Sequence, residues 1–153
     1  MKNNPLYKKA YANMQPGVIT ADGFLGDDTR SLADIIEADE EAFAALGLEF
    51  EEVAQKLRQL QTEGLRGLGE PVTVEGKWLV RVDDARGRLP SPFEDGIFRK
   101  VNTEVLNKKN NTRIVFTDLS LHLMEKYHFL EGKGSPFRLE PADIKAVLYD
   151  TEE

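Results

Sequence analysis

The chain contains no cysteine. Disulfides, thiolate nucleophiles and thiolate-bound zinc are therefore excluded. No apolar run approaches the roughly 20 residues that a helix needs to cross a bilayer. The first residues, MKNNPLYKKAYANMQPG, carry lysines but no apolar core of the kind a secretory signal has. These absences predict a soluble cytoplasmic protein. Histidine is scarce too: His122 and His128 are the only two. Histidine titrates nearest neutral pH, so acid–base chemistry in this chain would fall on that pair first.

What is present suits one domain. The 153 residues match the usual domain size of about 100–150. The expected unit is a single domain over 1–153, with 1–16 as a loosely packed N-terminal arm and 150–153 as a frayed tail. The net charge of −7 argues against broad nucleic-acid binding, which needs a basic footprint. The charge is also unevenly spread. Between Asp22 and Glu52 eleven acids face Arg30 alone, whereas between Phe98 and Arg113 five bases face only Glu104. Such a division suits two solvated faces, docking between subunits of a homodimer, or an anion site on the basic side.

Periodicity divides the chain into helices, hairpins, then helices. Leu32, Ile35, Ile36, Phe43 and Leu46 recur at helical spacing after Asp28 and Thr29, which can cap, and before Gly47, which can terminate. Phe50, Val53, Ala54, Leu57 and Leu60 form a second stripe. The short link predicts a helical hairpin. Gly64, Gly67 and Gly69 then read as a helix end and flexible connector. From Pro71 the period changes to alternation, with Val72, Val74, Trp78, Val80 and Val82 on one side. Residues 83–96, DDARGRLPSPFEDG, read as a polar loop able to act as a lid. Phe98–Leu106 and Thr112–Thr117 predict a second hairpin. Thr117 can cap a helix that is apolar on two faces, and Pro141 suits the first turn of a last helix. The predicted class is α+β: an N-terminal helical hairpin, a central antiparallel sheet of about four strands, and C-terminal helices packed on it.

Few motifs carry chemistry. EGKGSPFR (131–138) places Lys133, Ser135 and Arg138 around two glycines whose N–H groups can face one anion. It is not a P-loop, because it leaves a helix where that motif enters one. Gly132 also fits a helix C-cap, so a structural connector is the competing reading. Arg86 and Arg88 flank Gly87 and can bind an anion through their forked donors. Asp118, His122 and Glu125 have metal-compatible spacing but lack the second histidine of a zinc helix, so no metal or other cofactor is expected. Asp83 and Asp84 are adjacent on an extended chain and point to opposite faces, which argues against a shared site.

No complete catalytic constellation emerges. The expected function is a non-enzymatic binding protein for a small anionic ligand or a protein partner, with no membrane role. The alternative is an enzyme acting on a phosphorylated or carboxylated small molecule. It would hold the anion with Lys133, Ser135 and Arg138 and move the proton with His122 or His128.

Overall fold

The computed structural model describes residues 5–149. The expected tail at 150–153 lies outside those residues, as does the start of the N-terminal arm. Helix α1 spans Pro5–Asn13. Ala10 and Met14 are fully buried, and Tyr7 and Tyr11 pack against the same cluster.

Helix α2 spans Leu32–Leu46 and is capped by Ser31, whose hydroxyl accepts from the Asp34 N–H at 3.1 Å. Asp28 and Thr29 do not cap it as expected, and the Asp28 carboxylate is bound instead to Arg30 and to the Lys133 N–H. Gly47 ends the helix in the left-handed region at φ +72°. Helix α3 spans Phe50–Gly64. Gly64 is a contact point and not a loose connector: a Cβ there would strike the side chains of Val80 and Val82.

The four strands form an antiparallel meander in the order β1-β2-β3-β4: Val72–Val74, Trp78–Pro90, Ile97–Asn107 and Thr112–Thr117. Here the expected loop over 83–96 is overturned. Strand β2 continues to Pro90 and pairs with β3 as far as Pro90↔Ile97, with a bulge between Asp84 and Arg88. Gly87 sits in that bulge at φ +103°. The bulge absorbs the extra residues and lets a polar, glycine-containing segment stay in the ladder. Only 91–96 form the turn, closed by the Ser91 N–H donating to the Gly96 carbonyl at 2.8 Å.

Helix α4 spans Asp118–Tyr127 and begins with a reciprocal capping box between Thr117 and Ser120. It ends earlier than the sequence suggests. His128, at φ +59°, is the left-handed cap in place of Gly132. Helix α5 spans Pro141–Leu148, with the proline in its first turn.

Alternation puts Val80, Val82, Val101, Val105, Ile114 and Phe116 on one face of the sheet, where they join α3, α4 and α5 in the main core. A second cluster joins α1, α2, Phe24, Phe93 and Phe129. Helix α4 serves both: Leu121 and Met124 face the first, Leu119 and Leu123 the second. The opposite sheet face carries exposed Arg81 and Arg113 and half-buried Leu79, Glu104, Leu106 and Val115.

Candidate functional site

The Gly-Lys-Gly segment is laced to residues 24–28. The Gly132 N–H donates to the Phe24 carbonyl at 2.9 Å, and the Asp27 N–H donates to the Lys133 carbonyl at 2.8 Å. Gly26 and Gly132 face backbone so closely that neither has room for a Cβ. The cradle does receive an anion, but it is the protein's own: the Lys133 N–H donates to Asp28 Oδ2 at 3.2 Å. The Arg30 guanidinium, with lesser help from backbone N–H groups, holds the Asp28 carboxyl well below the usual range.

The expected anion-binding trio does not converge. Arg138 donates twice to Asp39, at 3.0 and 2.9 Å, and also to Glu140 and to the Glu131 carbonyl. Ser135 Oγ donates to Glu131 Oε1. Only the Lys133 side chain faces solvent. Arg138 is consumed because its guanidinium is enclosed and needs carboxylates to offset the loss of water.

The histidines occupy separate places and do not share a site. His122 is four-fifths buried, bonds Asp95 through Nε2 at 2.8 Å and lies against Phe98. Asp95 also accepts from Tyr127 at 2.7 Å and from Lys126 at 3.2 Å. Burial acts to raise the Asp95 carboxyl, but the bonds from Ser91, Tyr127, His122 and Lys126 outweigh it and hold it low. His128 is the more exposed; it bonds Glu40 at 2.6 Å and stacks on Phe50. Asp118 accepts from Gln61, and Glu125 pairs with Arg58, so the helix spacing considered for a metal is dispersed. Among the described residues no group of three or more metal-ligating side chains converges.

Two features escape sequence reasoning. The first is a concavity of about 560 Å³ on the open sheet face. Its floor includes Leu79 and Leu106, which pair across β2 and β3. Arg81 lies opposite Glu104 in the ladder, and Arg113 opposite Leu106. Glu104 serves both arginines unequally, at 2.7 Å from Arg113 and 3.9 Å from Arg81. Further along β2, exposed Arg86 and Arg88 have no carboxylate partner among the described residues, and Arg99 pairs with Asp84. Residues 78–117 hold eight basic and five acidic side chains, against twelve and twenty-two in the remainder of the chain. Alternation with Val80, Val82 and Ile114 is the signal that aims Arg81 and Arg113 outward.

The second feature is Glu131, only 4% exposed and at φ +72°. Burial pushes its carboxyl up to about 7, opposed more weakly by the Ser135 hydrogen bond and the Arg138 charge. Its place beside Gly-Lys-Gly draws the eye to the lysine, and nothing local marks the glutamate as internal.

Comparison with protein-family models, curated proteins and solved structures finds no match to this chain.

Proposed function

We propose that this is a non-enzymatic binding protein whose open sheet face takes a small anionic ligand. The carrying observation is that two arginines flank the apolar floor of the concavity and share one carboxylate. Glu104 satisfies Arg113 and leaves Arg81 loosely held at 3.9 Å. A ligand carboxylate or phosphate would complete the Arg81 fork with two parallel charge-assisted bonds. Its apolar portion would cover Leu79 and Leu106. The volume of about 560 Å³ falls within the roughly 300–1,000 Å³ of small-molecule sites. Arg86 and Arg88 extend the positive ribbon and would concentrate anions near it. The enzymatic alternative draws less support. Each histidine is tied to its own carboxylate, and neither lines this concavity.

The test is calorimetric titration and thermal unfolding with a panel of monocarboxylates, dicarboxylates and sugar phosphates, on wild type and Arg81→Ala/Arg113→Ala. Saturation with one anion class raises stability by about 2.7 kcal/mol at 100 times its dissociation constant, and the double variant loses that gain. Equal gains in both proteins, or none with any anion, overturn the proposal. The charge division also supports a second occupant, the acidic α2–α3 hairpin of another copy of the chain. Salt-sensitive dimers in sedimentation, lost in the same variant, would identify it.

A further inference from the structure

A chamber of about 120 Å³ lies apart from the sheet face, lined by Phe24, Leu89, Leu119, Phe137, Asp22 and Glu131 among others. Thr20 and Thr117 add hydroxyls, and among the described residues no lysine or arginine lines it. Among the described residues Glu131 is the one buried charged group in its wall. One carboxyl oxygen, Oε1, accepts from Ser135; Oε2 has no partner among the described residues. The nearest guanidinium, Arg138, binds the Glu131 backbone carbonyl and spends its remaining donors on Asp39 and Glu140. A buried carboxyl oxygen without a donor is costly, and native structures rarely keep one without a reason. The backbone adds to that cost, since a non-glycine residue at φ +72° is strained by roughly 1–3 kcal/mol.

We infer that this chamber is a second ligand site, for a small alkylammonium whose charged end meets Glu131 and whose hydrocarbon end lies against Phe24, Leu119 and Phe137. The chemistry follows from the walls. Two carboxylates line the chamber, and among the described residues no lysine or arginine does, which favours a cation over an anion. The apolar walls exclude a strongly hydrated inorganic ion and favour one carrying its own hydrocarbon. The size follows from the volume: a cavity of about 150 Å³ accepts benzene, so this one suits four or five heavy atoms of an unbranched or singly branched chain. The site is independent of the sheet face, and the two stand or fall separately.

The experiment is an NMR titration of the full chain with n-butylammonium chloride, with n-butanol and sodium butyrate as neutral and anionic counterparts. Wild type, Glu131→Gln, Ala21→Trp at the chamber rim and Arg81→Ala/Arg113→Ala are compared. The expected result is saturable shifts at the amides of Gly23, Thr117 and Phe137 with n-butylammonium. Butanol binds at least tenfold more weakly and butyrate does not bind. Glu131→Gln loses at least tenfold in affinity, Ala21→Trp weakens binding while the fold is retained, and the sheet-face variant binds as wild type does. Equal affinity in wild type and Glu131→Gln, preference for butanol or butyrate, or no saturable shift at the chamber amides overturns the inference.

Discussion

Asp39 and Arg138 lie 99 residues apart in the chain and meet through two parallel bonds of 3.0 and 2.9 Å. Their side chains are only 5% and 6% exposed. The pair joins α2 to the segment after α4, with Arg138 also bonded to the Glu131 carbonyl at 2.7 Å. Removing one partner strands the other as a buried charge, which typically costs about 3–5 kcal/mol. Arg138→Ala and Asp39→Ala should each show that loss in urea unfolding. Asp39→Leu/Arg138→Met should lose less than the sum of the single variants, since neither charge then remains. An additive double variant would sink this account.

Glu131 predicts a pH dependence of definite sign. Its ordinary value is 4.5, and in the folded chain burial raises it to about 7. Between those values the native state holds a proton that the unfolded chain has released. Stability from this group is therefore complete below about 4.5 and is lost as pH rises through about 7. The neighbouring Arg138 guanidinium stays charged throughout that range. The full swing is about 3 kcal/mol. Glu131→Gln cannot ionise, so its stability relative to wild type should climb by that order from pH 5 to pH 8. A flat difference between the two unfolding curves would mean that Glu131 is not desolvated.

What was legible in the sequence was what the local chain determines. Gly47 at the end of α2, Thr117 at the start of α4 and Pro141 in the first turn of α5 all use bonds or dihedrals within a few residues. The alternation through Val74, Val80 and Val82 names the buried sheet face, because strand side chains must alternate. What was not legible depended on distant partners. Residues 83–90 look like a loop until β3 pairs with them across the Gly87 bulge. Arg138 looks free until Asp39 arrives from the other end of the chain. His128 ends α4 because the Phe129 N–H bonds the Leu123 carbonyl while Phe129 enters the second cluster, and no glycine announces that. Alternation aimed Arg81 outward but said nothing of whether a helix would cover it.

The glycine contacts give a graded test of how the Gly-Lys-Gly segment is seated. Gly47 is left-handed at φ +72°, and a Cβ added there would meet nothing within 4 Å, so Gly47→Ala meets dihedral strain alone. That costs about 1–2 kcal/mol. Gly26 is left-handed too, at φ +56°, and its Cβ would collide with the backbone of Lys133, Gly134 and Ser135. Gly26→Ala adds overpacking to the strain, for a loss of about 2–5 kcal/mol. Equal losses at the two sites in thermal unfolding would show that 24–28 and 132–135 are not pressed together.

Trp78 and Asn107 are cross-strand partners and donate to one carbonyl, that of Val147 in α5, at 2.7 and 3.0 Å. Asn107 is fully buried and also accepts from the Lys109 N–H at 2.9 Å, which ties the β3–β4 turn to the helix. Either Trp78→Phe or Asn107→Ala leaves the carbonyl with one donor. The double variant leaves it with no donor among the described residues, and an unsatisfied buried acceptor costs about 1–3 kcal/mol beyond the lost packing. The double variant should therefore lose more than the single losses combined, with a coupling of about 0.5–2 kcal/mol. The missing tryptophan removes the fluorescence signal, so circular dichroism is the common probe for all four proteins. Strict additivity would mean that α5 is held by its apolar contacts with Ile114 and Phe116 and that the shared carbonyl contributes little.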